Sequence, residues 1–90
     1  MNFSSTFTPA KDVVARQVGG ETVILDLESG TYFGLDPVGT RIWTLLEAGH
    51  SLQHVCDVLL DEYEVSRDDV ERDVPALVTQ LVDKKLLHPV

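Results

Sequence analysis

Residues 23–46 read VILDLESGTYFGLDPVGTRIWTLL, and the hydrophobic period changes partway through this stretch. Val23, Leu25 and Leu27 share one face at a period of two residues, which predicts a β-strand. After Asp36 the apolar residues recur at the spacing of an α-helix instead. The stretch therefore predicts that the chain changes from sheet to helix near residue 36.

Two further strands are predicted around this first one. Residues 13–18 are rich in β-branched side chains and end at Gly19 and Gly20, a turn signal. Residues 31–35 follow a short loop that ends at Gly30, and they form the third predicted strand. The first 35 residues therefore predict a three-stranded antiparallel meander.

The rest of the chain predicts three helices. Asp36 supplies an acceptor side chain at the start of the first, Ser51 caps the second and Ser66 caps the third. The third helix is expected to run to about Lys85, with a kink or a restart at Pro75, which lacks a backbone donor. Residues 86–90 form a short apolar tail, either a strand or a strap over the core.

Three strands followed by three helices give an α+β chain, and 90 residues suffice for one domain. We expect residues 1–11 to be a flexible N-terminal tail and residues 12–90 to be a single domain. The second and third helices resemble a helix-turn-helix with the strands as a wing, so the predicted architecture is a winged helix-turn-helix.

The charge balance excludes several classes of function. Fifteen acidic against seven basic residues give a formal net charge of −8, which disfavours binding to nucleic acid or to an anionic membrane. No apolar run is long enough to span a bilayer, and the N-terminus lacks the pattern of a secretory signal. With a single cysteine, the chain is expected to be cytoplasmic.

Candidate catalytic and metal-binding groups do not converge. Cys56 lies on the apolar stripe of the second helix whereas His54 lies off it, and His50 precedes the helix, so neither a zinc site nor a Cys/His dyad is expected. The acidic clusters alternate with apolar residues and are interpreted as solvated faces. Gly19 and Gly20 join two strands, which does not fit a phosphate-binding loop. We therefore expect no enzymatic activity, no metal and no cofactor.

A winged-helix DNA-binding regulator is an alternative, but the third helix has the wrong charge. From residue 67 to residue 85 it carries five acidic and four basic side chains. A recognition helix that enters the major groove needs a positive surface.

The third strand offers an interaction surface instead. It comes last in the meander, so it is expected to be an edge strand that can accept an added strand from a peptide or from a second copy of the chain. Tyr32 and Gly34 alternate along it with Thr31, Phe33 and Leu35, so one set faces the core and the other is free.

The sequence resembles the PqqD family, the prototype of the recognition element for ribosomally synthesised and post-translationally modified peptides. Residues 23–36 and 38–46 carry the resemblance together with residues 71–74 and the ending at residues 81–87. It covers about residues 12–88. It implies a winged helix-turn-helix without catalytic activity that binds the leader segment of a precursor peptide and presents it to a modifying enzyme.

The resemblance also implies where the leader binds: as a strand beside the third strand, in a groove formed with the third helix. Carried onto this sequence, the leader-binding residues are Thr31, Tyr32, Phe33, Gly34, Leu35, Asp73, Val74, Leu77, Val78, Gln80 and Leu81.

The hairpin at residues 27–32 is more similar to that of stand-alone proteins of lasso-peptide pathways than to that of members serving pyrroloquinoline quinone synthesis. This similarity implies a precursor, a transglutaminase-like leader protease and an ATP-dependent cyclase as partners. A chaperone for a radical-SAM peptide-modifying enzyme is the alternative. A homodimer through the third strand is a further expectation.

Overall fold

The computed structural model describes residues 2–90, which form five strands and three helices. In chain order these are β1 (Phe7–Pro9), β2 (Val13–Val18), β3 (Glu21–Asp26), β4 (Tyr32–Leu35), α1 (Pro37–Glu47), α2 (Leu52–Glu62), α3 (Arg67–Asp83) and β5 (Leu87–Pro89).

Strands β2, β3 and β4 form the predicted antiparallel meander, in that spatial order. Val14 pairs with Leu25 across one ladder, and Leu25 pairs with Tyr32 across the other. Gly19 and Gly20 both have positive φ at the β2–β3 turn, where glycine is favoured because it lacks a Cβ. Both β2 and β4 are edge strands, so the prediction of a free third strand is confirmed.

All three predicted helix starts are confirmed by their caps. The Asp36 carboxylate accepts a 2.7 Å hydrogen bond from the Gly39 N–H, and Ser51 and Ser66 cap α2 and α3 in the same way.

The restart predicted at Pro75 is wrong, because α3 is a single helix from Arg67 to Asp83. Proline removes only one backbone donor, and apolar packing along both halves of the helix holds it together.

The N-terminal segment differs from the expected flexible tail, because β1 pairs with β5 in a second, two-stranded sheet. Phe7 is only 3% exposed and belongs to the core. The Phe3 carbonyl accepts from the Gln53 N–H and the Ser5 carbonyl from the Leu52 N–H, two otherwise unpaired donors in the first turn of α2. The buried Phe7 side chain and these backbone hydrogen bonds hold the segment against the domain, although its composition is typical of a flexible tail.

One hydrophobic core lies between the inner face of the meander and the helices. Its largest fully buried side chain is Trp43, which packs with Ile24 and Leu46. Below the sheet, the Thr22 hydroxyl donates a buried 2.8 Å hydrogen bond to the Thr40 hydroxyl and so joins β3 to α1. Over residues 2–90, no helix has the length and apolarity needed to cross a membrane.

Candidate functional site

The free edge of β4 exposes unpaired backbone groups. The Asp26 N–H donates to the Thr31 carbonyl at 3.0 Å, which marks residue 31 as facing β3. Backbone groups alternate in an antiparallel ladder, so Phe33 and Leu35 also face β3. The N–H and C=O groups of Tyr32 and Gly34 therefore point away from the sheet, where no described strand pairs with them.

An open groove of about 620 Å³, here named the edge groove, lies directly beside β4. Its floor is apolar and made of side chains that also belong to the core, because the core reaches the surface between β4 and α3. The groove is lined by Phe33, Gly34, Leu35, Asp36, Val38, Gly39, Ile42, Leu59, Tyr63, Val65, Asp69, Val70, Asp73, Val74, Leu77 and Gln80.

The charged side chains that line the edge groove are all acidic. Asp36, Asp69 and Asp73 contribute carboxylates, and no lysine or arginine of the described residues is among its lining. Asp69 and Asp73 pair with Arg72 at 3.1 and 3.0 Å, but all three side chains are more than half exposed. The groove therefore offers an apolar floor with a negative rim.

Seven of the eleven residues expected to bind a leader line this groove, and four do not. Val78 and Leu81 are fully buried, and they are not among the residues that line the groove. They lie on the same broad apolar stripe of α3 as Val74 and Leu77, which do line the groove. The expected residues that line the groove are Phe33, Gly34, Leu35, Asp73, Val74, Leu77 and Gln80.

Thr31 and Tyr32 lie outside the groove, at the start of the same edge. The Tyr32 side chain is 72% exposed and lies on the outer face of the sheet, as the alternation along β4 predicted. The half-buried Phe33 ring points inward, and the Lys84 ammonium lies 5.6 Å from its centroid.

Sequence reasoning missed three apolar residues of the groove wall. Tyr63 and Val65 lie in the α2–α3 loop, and Val38 lies in the first turn of α1. All three are apolar yet at least one-third exposed. Two apolar residues in an otherwise acidic loop were the signal that could have identified this wall.

The nucleophile and metal candidates remain separated. Burial raises the pKa of the Cys56 thiol, with smaller contributions from Glu71 and Asp57, so the thiol is held in its protonated, unreactive form. The His50 and His54 rings stack with centroids 4.2 Å apart. No group of three metal-ligating side chains occurs within residues 2–90.

The arginines of α3 are engaged with carboxylates of the chain itself. Arg67 lies 3.2 Å from Glu71 and 3.9 Å from Asp57, and Arg72 contacts two aspartates. Side chains paired in this way leave little positive surface on the helix that would enter a DNA groove.

One protein family matches most of the chain. The family model for coenzyme PQQ synthesis protein D (PqqD) matches residues 21–87. No functionally curated protein matches the chain.

Two solved structures are closely similar to this fold. The first, TbiB1 in complex with the TbiA(beta) leader peptide, has 43% sequence identity and a TM-score of 0.85, with 90% of this chain and 94% of that chain covered. The second, a lasso peptide synthetase B1 complexed with the leader peptide, has 37% identity and a TM-score of 0.86, with 92% and 98% covered. These matches confirm the winged helix-turn-helix and the resemblance inferred from the sequence: the chain belongs to the PqqD family, and within that family it is similar to lasso peptide synthetase B1 proteins.

Proposed function

We propose that this protein binds the leader segment of a ribosomally made precursor peptide in a lasso-type pathway and delivers it to a modifying enzyme or leader protease. The leader adds as a strand to the free edge of β4, and its side chains enter the edge groove. The observation that carries the proposal is the position of unpaired backbone groups directly beside an open apolar groove, in a fold close to two leader-peptide complexes.

Strand addition suits this edge for two reasons. The N–H and C=O groups of Tyr32 and Gly34 provide donors and acceptors that any peptide backbone can pair with, which supplies affinity. The groove beside them distinguishes one peptide from another, because every second side chain of an added strand points into it. Leu77 and Val38 line its walls, so the preferred leader side chains are apolar.

The protein acts by binding alone. Burial raises the pKa of its cysteine thiol, and no group of three or more metal-ligating side chains occurs among residues 2–90. For the chemistry on the precursor we propose a partner, a transglutaminase-like leader protease. Incubation of the precursor with this protein alone should leave its mass unchanged, whereas adding this protein to the protease should accelerate leader cleavage.

The binding step is tested by fluorescence polarisation with the labelled leader of the precursor encoded beside this gene. Saturable binding of the leader, with no binding of random-sequence DNA, is the expected result. A folded, monomeric protein that does not bind the leader would contradict the proposal. Sedimentation at the same concentrations distinguishes a second interpretation, in which two copies pair through β4 and occupy the edge themselves.

A further inference from the structure

The face of the meander that is turned away from the core, here named the outer face, is apolar and open to solvent. It carries every second residue of β2, β3 and β4, because side chains alternate between the two faces of a sheet. Four of its apolar side chains are more than 40% exposed: Val14, Val18, Val23 and Tyr32. Single exposed apolar residues are ordinary on a protein surface, whereas several on one face indicate an interaction surface.

Gly34 is the one bare position of β4 on the outer face. Its φ is not positive, so the backbone does not require a glycine there. A Cβ at this position would meet no atom within 4 Å, so no neighbouring residue requires a glycine either. Glycine inside a strand lowers stability and often marks a place where another molecule approaches closely. Nothing within the described chain accounts for Gly34, and its position on a free edge points to an added strand.

The space above Gly34 leads to an exposed apolar side chain. Val23 of β3 pairs directly with Gly34, and Arg16 of β2 pairs with Val23 on its other side. Gly34 and Val23 form a pair without direct hydrogen bonds, the arrangement in which cross-strand side chains lie closest together. Because Gly34 has no side chain, Val23 is open toward the β4 edge. A side chain from beyond that edge can cross Gly34 and contact Val23.

A strand added to β4 places one of its residues directly beside Gly34. The side chain of that residue points to the outer face, because neighbouring residues of adjacent strands share a face. Its Cα lies two strand spacings, about 10 Å, from the Cα of Val23. A β-branched side chain is too short to cross this distance, whereas an aromatic ring spans the bare strand. Aromatic side chains beside an edge glycine also restore the stability that the glycine costs.

We propose that the leader residue beside Gly34 is aromatic and that its ring lies across Gly34 onto Val23. This inference rests on the proposed leader binding and adds the chemical class of one leader residue. The leader is then recognised on both faces of the sheet, by the edge groove on one and by the outer face on the other. The ring also fixes the register, because a slip of one residue would move it to the opposite face.

The test uses the labelled leader of the precursor encoded beside this gene, and peptides in which each leader residue in turn is replaced by alanine. Polarisation titrations compare the natural protein with Gly34→Thr, which places a β-branched side chain where the ring would lie. The natural leader should bind Gly34→Thr about fivefold more weakly, the size of one favourable cross-strand pair. One alanine peptide, changed at an aromatic residue, should bind the two proteins equally.

Two controls separate a blocked ring from a general defect. Arg16→Thr introduces the same side chain in the same row of the outer face, but on β2, and should leave leader affinity unchanged. Gly34→Thr should melt at a Tm no lower than that of the natural protein, because threonine favours strands and has open space at this position. By NMR, the Gly34 Hα resonances should move upfield when the natural leader binds, since an aromatic ring then lies over them.

Each outcome supports or overturns the inference. Equal binding of the natural leader to both proteins, or coupling of Gly34 to a leader residue that is not aromatic, would overturn it while leaving strand addition in place. Unchanged leader affinity with slower leader cleavage in Gly34→Thr would overturn it and assign the outer face to the protease. If the leader does not bind the natural protein, the proposed function fails and the inference fails with it.

Discussion

The two free edges of the meander, β2 and β4, differ in what lies beside them. Both present unpaired backbone groups, at Ala15 and Gln17 on β2 and at Tyr32 and Gly34 on β4, by the same alternation of ladder bonds. Only β4 borders the edge groove. The comparison indicates that a free strand edge can pair with the backbone of any peptide. The groove beside β4 selects which peptide binds and at which edge of the sheet it binds.

The largest effect is expected when the outward donor of β4 is removed. Tyr32→Pro should weaken leader binding at least about 30-fold, because it deletes a backbone donor and adds a ring where the new strand must approach. Ala15→Pro makes the same change on β2 and should alter affinity by less than about twofold. Polarisation titrations of both proteins, with circular dichroism to verify folding, measure the difference.

Tyr32→Ala separates the backbone from the ring, because it keeps the N–H group and removes the exposed aromatic side chain. Its affinity should remain close to that of the natural protein. Equal losses in Tyr32→Pro and Tyr32→Ala would mean that the ring, not the strand edge, binds the leader.

The groove itself is tested by a polar side chain on its wall. Leu77→Gln should reduce leader affinity about tenfold, because a partly exposed apolar contact is replaced by a polar amide. Val18→Gln places the same amide at the end of β2, and we expect no change there. Comparable losses in the two variants would show that apolar surface in general, and not the edge groove, attracts the leader.

The sequence predicted the strands and helices around the β4 edge better than it predicted the residues that line the edge groove. Strand and helix starts followed from a change in period and from the caps at Asp36, Ser51 and Ser66, which act over a few residues. The β1–β5 pairing brings Phe7 next to Pro89, and strands of three residues are too short to show a period. Pairing between the two ends of a chain is therefore not visible in local patterns.

The differences between the expected site residues and the residues that line the groove have a similar cause. The apolar stripe of α3 includes Val74 and Leu77, which line the groove, and also Val78 and Leu81, which do not. A helical period shows which face is apolar and not how much of that face the rest of the protein covers. Tyr63 was missed because a loop residue has no period at all.

Two hydrogen bonds join the sheet to α1, and their burial predicts different contributions to stability. Thr22 and Thr40 form a buried bond beneath β3, while the Gln17 amide of β2 donates to the Thr44 hydroxyl at an exposed position. Thr22→Val should lower the free energy of unfolding by about 1 kcal/mol, because the Thr40 hydroxyl loses its buried partner. Gln17→Ala should cost less than about 0.5 kcal/mol. Urea denaturation measures both changes in the free energy of unfolding. Equal changes would contradict the larger contribution expected of the buried hydrogen bond.

The smallest effect concerns an exposed ion pair between α1 and α2. Arg41 of α1 and Glu62 of α2 form a two-point ion pair at 2.7 and 2.9 Å. The hydrogen bond from Arg41 lowers the pKa of Glu62 below its ordinary 4.5. The pair therefore contributes stability that is present above pH 4.5 and is lost as the pH falls through the lower, folded-state pKa.

The Tm difference between the natural protein and Glu62→Gln measures this contribution. It should be small at pH 6, because both side chains are exposed, and it should shrink further toward pH 3. A difference that stays constant over this range would mean that the carboxylate charge of Glu62 does not contribute to stability.

The most direct test of strand addition to β4 is amide hydrogen exchange, measured by NMR with and without saturating leader peptide. The Tyr32 and Gly34 amides should exchange much more slowly in the complex, since each would donate to the added strand, while the Ala15 and Gln17 amides of β2 should be unchanged. Binding that leaves Tyr32 and Gly34 unprotected, or that protects Ala15 and Gln17 instead, would contradict leader capture at the β4 edge.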